Sequence, residues 1–324
     1  MSKVKYNSPK DHPDCEKFIK IFENVSCISD FKYALEQNDK ELFAKLLFRW
    51  FSEFNNEDFL LMMKRLKKIK SFLSTCGVGF NTSKRYKNVI ITKSGMTIEN
   101  KNVVIIVNSE YGWIKNVKYV LVQHNSLVFI SNNINSEVYI KGNSDVSIAG
   151  EKTEIFVKDT SGAKVLGDNT VKAYDRSIIT AGGTVKCFMN DCSDLYAKDE
   201  AECLLLHESR GMLRGESSAI AKDFSKVNVD GKCKVKGEDE SKISLFNCET
   251  LHVNKKVLVA VRECSNKKDC KNEIIAEGRS VINIFQSEKN FDKTIIAKEN
   301  ATVISEFESD KIKTKDNASI KLVK

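Results

Sequence analysis

Proline is almost absent from this chain of 324 residues: its only two, Pro9 and Pro13, both precede the first helical pattern. No proline-rich linker divides the remaining chain, so the body reads as continuous. Long apolar runs are missing too. No stretch reaches the ~18 apolar residues of a membrane span, and the opening MSKVKYNSPKDHPDCEK lacks the apolar core of a secretory signal. The expectation is a cytoplasmic protein with no membrane partner. Histidine occurs only at positions 12, 124, 207 and 252, too dispersed to assemble a catalytic triad from sequence. None of the ten cysteines has CxxC spacing, and the close pairs Cys187/Cys192 and Cys264/Cys270 lack a histidine cluster to complete a tetrahedral site. Neither metal nor other cofactor is expected. Scattered cysteines without a secretory signal read as reduced, mostly buried thiols. A formal charge of +8, from 52 basic against 44 acidic residues, permits an acidic partner without demanding one.

Two regions differ in period. From Cys15 to about Phe72, CEKFIKIFENV, SDFKYALEQ, DKELFAKLLFRWF and NEDFLLMMKRLKKIKSF place apolar residues three or four apart. Ser29, Asp39 and Asn56 stand where N-caps would, which predicts about four helices. After STCGVGFNTSKRYKN the chain turns to β-branched runs broken by Gly and Asn, with no helical pattern to its end. The expected organisation is a helical domain over 1–75, a basic linker or cap over 76–87, and a β region over 88–324.

The β region repeats in octads, among them EVYIKGNS (137–144), EIFVKDTS (154–161), TVKAYDRS (170–177), ECLLLHES (202–209) and SAIAKDFS (218–225). Positions 2 and 4 are mostly apolar, as a short strand with one buried face requires. Position 6 is nearly always Gly, Asp or Asn, residues that tolerate a sharp corner. Position 8 is usually Ser, small enough to turn inward. Such a unit cannot bury its face alone and must stack on copies of itself. At position 6, every second octad gives Asp159, Asp175, Asp191, His207, Asp223 and Asp239, whereas the alternate octads give Gly167, Gly183, Asp199, Gly215, Gly231 and Asn247. Two unlike corners alternate, so one coil is 16 residues. The predicted fold class is α+β: an N-terminal helical domain followed by a parallel β-solenoid with two octapeptide strands per coil. The segment RECSNKKDCKNE, 262–273, reads as a loop bulging from one coil.

TVKAYD (170–175), KENATV (298–303) and KDNASIKL (315–322) resemble the TVxAYDNATV octads of a loosely defined group of bacterial and phage repeat proteins. The 16-residue coil is similar in plan to ice-nucleation solenoids. The resemblance covers the solenoid and not the helices, and it implies a fold, with no catalytic residue carried over. The flat threonine-rich face of ice binders is missing: the outward third position holds Tyr139, Phe156, Lys164, Lys172, Tyr196 and Lys236.

Two surfaces stand out as candidate binding sites. Lys64, Arg65, Lys67, Lys68 and Lys70, followed by Lys84, Arg85 and Lys87, put eight cations within 24 residues with Tyr86 among them, a pattern suited to RNA, DNA or an acidic protein. Part of that run is the solvated side of an amphipathic helix. Tyr139, Phe156 and Tyr196 at outward positions, with Phe224 at a corner, bury nothing inside the coil. They point to a partner, to self-association, or to the helical domain folding back. The repeated corner aspartates read as turn formers, with cation binding the alternative.

These features lead to a non-enzymatic binding protein whose helical domain docks a partner and caps the first coil. Lys, Asn and Ile bias together with the octads suggests a low-GC bacterium or its phage, where such a protein would work in the host cytoplasm. It would engage a protein or ribonucleoprotein, for instance inhibiting a nucleic-acid-guided nuclease. A structural, self-assembling virion-type component is the alternative, and a glycan-cleaving β-helix enzyme a third reading.

Overall fold

The computed structural model describes residues 8–23, 27–53, 56–82, 85–247, 250–262, 273–285 and 293–323. A helical region of five helices is followed by a parallel β-solenoid of about 13 turns. The chain divides into two compact units, Met1–Phe156 and Val157–Lys324. Most of the bulging segment 262–273 and the position of Lys84 lie outside the described residues.

In the first unit a 3-10 turn, Pro9–Asp11, leads into α1 (Cys15–Phe22), α2 (Ile28–Glu36), α3 (Lys40–Glu53), α4 (Asn56–Lys68) and α5 (Lys70–Thr75). Asp39 caps α3 as expected, its Oδ1 accepting from the amides of Glu41 and Leu42 at 3.1 and 2.9 Å. Ser29 does not cap α2. The Cys27 carbonyl already accepts from Asp30 and Phe31, so the first turn closes ahead of Ser29. The last apolar pattern, which reads as one helix, breaks at Ile69 (φ −110°, ψ 24°), giving five helices instead of about four. Ile69, Phe72 and Leu73 are all buried across that break. Phe18 is the hub of the helical core, with ring centroids of Phe22, Phe31, Phe43 and Phe72 between 4.3 and 5.4 Å away. Each such pair adds about 0.5–1.5 kcal/mol beyond the area it buries.

The solenoid starts inside the stretch read as a linker. Val78–Phe80 is its first strand, pairing in parallel with Asn88–Ile91, and Asn88 pairs in turn with Val103. The following strands Thr97–Val107 and Gly112–Gln123 each run through a corner, at Asn100 (φ 54°) and Asn116 (φ 52°), whose side chains hydrogen-bond at 3.1 Å. The helices lie against the outer face of these first coils. Val103, Ile105, Val107 and Leu121 are buried in one cluster with the helical core. Phe48 of α3 packs its ring 5.4 Å from Tyr119 and 5.5 Å from Tyr139. Lys141, itself buried, donates from Nζ to the Ser52 carbonyl in the last turn of α3 at 2.9 Å. A cation at a helix C-terminus is where the helix dipole favours one.

In the second unit the 16-residue period is explicit in the pairing. Thr170 aligns with Lys186, Lys186 with Glu202, Glu202 with Ser218, and Ser218 with Lys234. The alternate strands run Ile178, Asp194, Arg210, Lys226 and Lys242 in the same way. The two series form the two faces of each coil. Positions 2 and 4 point inward, and Val171, Ala173, Ile179, Ala181, Val227 and Val229 are all essentially inaccessible. Position 8 is buried as well: Ser161, Ser177, Ser193, Ser209, Ser225 and Ser241 are each fully covered. Ser193 Oγ donates to the Asn190 carbonyl at 2.7 Å and ties off its own corner, whereas the hydroxyls of Ser177, Ser209, Ser225 and Ser241 are buried without a hydrogen-bond partner among the described residues, so small size is what the position has in common.

The corner aspartates adopt φ near +60°, the left-handed region that Asp tolerates better than most residues. Their carboxylates are used to hold coils together. Asp175 accepts from the Asp159 amide at 3.0 Å, Asp191 from the Asp175 amide at 3.2 Å, and Asp223 from the His207 amide at 3.0 Å. His207 fits the same ladder, its Nδ1 facing the Asp191 amide at 3.5 Å. Among the described residues no group of three or more His, Cys, Asp or Glu could hold a metal ion.

Cys76, Cys187, Cys203 and Cys233 are buried free thiols, whereas Cys192 is exposed. Burial pushes the Cys233 thiol up to about 12 and raises Cys76 further. Cys203 is raised by its contact with Cys187 on the neighbouring strand and by burial. Alkylation of the folded protein near pH 8 is therefore expected to modify Cys192 and to spare those four until the chain is unfolded. Peptide mass mapping over time checks this, and equal rates for all five would contradict it.

Candidate nucleic-acid interface

The basic surface is built on the outer side of α4 and α5. Met62, Met63 and Leu66 face the helical core, which leaves Lys64, Arg65, Lys67 and Lys68 exposed on the other side of α4. Lys70 is exposed at the start of α5. In the second half of the basic sequence, Tyr86 ties the chain to α5. Its hydroxyl hydrogen-bonds the Ser74 hydroxyl on α5, one helical turn beyond Lys70. The Tyr86 ring lies against Gly79, where any Cβ would collide with it. Arg85 and Lys87, both exposed, flank this anchored residue in sequence. Lys101 joins them: its partial burial and the adjacent Lys87 ammonium lower its pKa from the ordinary lysine value.

Among the described residues none of Lys64, Arg65, Lys67, Lys68, Lys70, Arg85 and Lys87 forms an ion pair, in contrast to Lys17, Lys45 and Arg49, which pair with Asp14, Glu41 and Glu53. A helix surface built only for solubility would mix the two signs. This one supplies donors for phosphate or carboxylate.

A serine–histidine–aspartate grouping lies close by and does not work as a triad. His12 Nε2 is 3.3 Å from Ser71 Oγ, and Asp14 lies on the other side of the ring. His12 Nδ1, however, accepts from the Asp14 backbone amide at 3.1 Å. The ring proton of the neutral histidine therefore sits on Nε2 and is donated towards the serine, the reverse of what a general base needs.

Of the four outward aromatics, two are covered by the chain itself. Tyr139 is half-buried under Phe48, and its hydroxyl is held above the usual tyrosine range first by burial and then by Glu137. Phe156 stacks on Tyr139 with centroids 4.5 Å apart. Tyr196 and Phe224 remain exposed, at 51% and 59% of their full area. Sequence reasoning missed two further aromatic or apolar features. Trp113 stacks on Phe129 at 5.0 Å on the outside of the first unit, a pair visible only once the strand register is known. Phe188, Leu204 and Ile220 form an apolar column in the second unit, and their shared octad position was the signal available.

Charges along the outside of the second unit are organised in bridges between coils. Glu238 lies 2.6 Å from Lys236 and 3.1 Å from Lys222, and those two hydrogen bonds depress its pKa. Glu277 is held down in the same way by Lys298 and His252. A depressed carboxylate pKa contributes stability above the unfolded value of roughly 4.3, and loses it as pH falls through the lower folded value. Stability is expected to be level from about pH 7 to 5 and to decline below about 4, a small effect because the groups are part-exposed. Glu238→Gln should flatten part of that decline in urea midpoints measured against pH; an unchanged profile would show that the bridge contributes nothing.

No helix among the described residues is long and apolar enough to cross a membrane. No protein-family model, no curated protein and no solved structure matches this chain.

Proposed function

We propose that this is a non-enzymatic binding protein that engages nucleic acid, alone or in a ribonucleoprotein, through the basic surface of α4, α5 and the Arg85–Lys87 loop. The observation that carries the reading is that seven cations of this segment are exposed and, among the described residues, have no acidic partner. Phosphates in a chain release condensed counterions when such a surface covers them, which is the main source of affinity for sequence-independent binding. Tyr86, only part-buried between Arg85 and Lys87, adds an aromatic edge of the kind that accompanies single-strand contacts. The first coils of the solenoid give the basic surface a rigid base. The octad resemblance to bacterial and phage repeat proteins extends the reading to a host-interaction protein, for instance one that occupies the nucleic-acid channel of a guided nuclease.

Affinity capture from a bacterial lysate, with and without nuclease treatment, tests the reading. RNA or DNA, or a protein that carries it, should be retained by the wild type and lost after nuclease treatment. Retention of the same proteins in both arms with no nucleic acid present would overturn it. Tyr196 and Phe224 favour a second reading, self-assembly through exposed aromatics. A monomer in light scattering at high concentration would remove it.

A further inference from the structure

We propose that one face of the second unit is a further nucleic-acid contact, selective for single strands. The face consists of the strands Asp194–Ala197, Arg210–Gly215, Lys226–Gly231 and Lys242–Asn247. The proposal rests on the nucleic-acid reading for the class of ligand and concerns a different surface. Arg210, Lys226 and Lys242 each open their strand and lie in register, so the three stand about 4.8 Å apart along the solenoid. All are exposed, and among the described residues none forms an ion pair or a side-chain hydrogen bond. Lys198, just past the strand Asp194–Ala197, is exposed and unpaired in the same sense. Its side chain lies against Gly182, where a Cβ would meet it at 2.9 Å.

The acids around this column do not neutralise it. Asp230 holds Arg214 at 3.9 Å. The corner carboxylates of Asp223 and Asp239, three residues before Lys226 and Lys242, accept from the His207 amide at 3.0 Å and from Lys255 Nζ at 2.5 Å. Asp194, half-buried at the head of the column, makes no ion pair with Arg210 among the described residues. One unpaired carboxylate thus stands against four unpaired cations on this face. Like charges directly opposite one another destabilise a sheet. Elsewhere this unit sets opposite charges on adjacent coils, as with Lys222 and Glu238 or Lys256 and Glu240, each 3.1 Å apart. A column of stacked cations works against the fold, and it suits a ligand that brings negative charge to successive coils.

The next outward column selects the polyanion. It holds Tyr196, Met212, Asn228 and Ser244, two residues along each strand and so about 7 Å from the first column. Tyr196, 51% exposed, offers a ring for stacking, and Asn228 and Ser244 both donate and accept hydrogen bonds. A ligand with anions along one edge and flat, hydrogen-bonding groups along the other is complementary to both columns. Single-stranded nucleic acid has that form, with phosphates for the cations and unstacked bases for the tyrosine and the amide. An acidic peptide lacks a base-like group at each repeat, and a duplex turns its bases inward.

The test uses the full-length protein and a fluorescein-labelled single strand of about six deoxythymidines. Lys64, Arg65, Lys67 and Lys68 are first changed to Glu, which silences the surface of α4. The strand is expected to bind this background with a slope of log K against log salt of roughly −2 to −3, four cations at ~0.7 counterion each. A hairpin duplex and polyglutamate should bind at least tenfold more weakly. Adding Arg210→Gln, Lys226→Gln and Lys242→Gln should weaken strand binding tenfold or more, and Tyr196→Ala about fivefold or more, at an unchanged circular dichroism spectrum. Lys226→Glu alone gives the column alternating signs, so it should weaken binding while raising the thermal midpoint, a pairing that a merely structural role would not produce. If the wild type binds and the α4 background does not, this inference is overturned and the first surface stands. If charge reversal on α4 changes nothing and the three glutamine substitutions abolish binding, the first surface falls and this one stands. Equal binding of polyglutamate, a lowered midpoint for Lys226→Glu, or a dimer that Tyr196→Ala disperses would each overturn the proposal.

Discussion

Phe48→Ala should destabilise the first unit by about 3–5 kcal/mol, the usual cost of emptying a buried phenylalanine site. Phe48 is only 4% exposed, and it is the residue through which α3 touches both Tyr119 and Tyr139. Its removal breaks both ring packings and opens a cavity between helix and strands, which cannot close without moving α3. The loss has a local signature besides a lower denaturation midpoint. Burial is the first cause that holds the Tyr139 hydroxyl above the ordinary tyrosine range, so admitting water there should bring its titration back towards roughly 10. Phe48→Leu, which refills most of the space, should cost less and leave the titration nearer the wild type. If Phe48→Ala were as stable as the parent with Tyr139 unshifted, the packing of α3 on the strands would not be what secures the helices.

Lys64, Arg65, Lys67 and Lys68 changed together to Glu should weaken nucleic-acid binding by roughly a hundredfold or more at about 0.1 M salt, and each phosphate left without its cation should also lower the salt dependence by about one counterion. All four side chains are exposed and, among the described residues, unpaired, so the substitution leaves the core untouched. Thermal stability should fall modestly, because the four glutamates repel one another as the cations did and now face the C-terminal turn of α4, where the helix dipole favours cations. A variant that kept full affinity would make this run a solvated helix face and nothing more. A variant that lost affinity together with its helical signal would be uninformative on its own, so Lys64→Gln with Lys68→Gln is the milder companion, expected to weaken binding in proportion at unchanged helicity; full affinity there at unchanged helicity would likewise contradict the assignment.

The solenoid was legible because two unlike corners alternate along the chain. Asp175, Asp191 and Asp223 are needed where a left-handed backbone must also reach the amide of the coil before, and Gly183 and Gly215 serve the other corner, so the alternation marks 16 residues directly. The start of the solenoid was less legible: Val78–Phe80 is three residues long, too short for alternation to register. The break at Ile69 left no mark in composition, since an isoleucine within an apolar period looks the same whether the helix continues or turns. The basic run was visible as a run, but the anchoring of Tyr86 to α5 through Ser74 is a tertiary contact that no periodicity announces. The fate of the outward aromatics followed from tertiary packing. Tyr139 and Tyr196 both hold the third octad position, though in alternate strand series, and a helix covers one and water the other. The column of Phe188, Leu204 and Ile220 consists of residues that are ordinary singly and become a surface only through register.

The central claim, that the surface of α4, α5 and the Arg85–Lys87 loop binds nucleic acid through phosphates, is tested most directly by salt titration of the wild-type protein against a labelled single-stranded 20-mer. Anisotropy between about 50 and 200 mM salt should give a straight line of log K against log salt with a slope of roughly −3 to −5, as expected for five to seven phosphate contacts at ~0.7 counterion each. A slope near zero, or no binding at about 50 mM salt, where such contacts are at their strongest, would contradict the account.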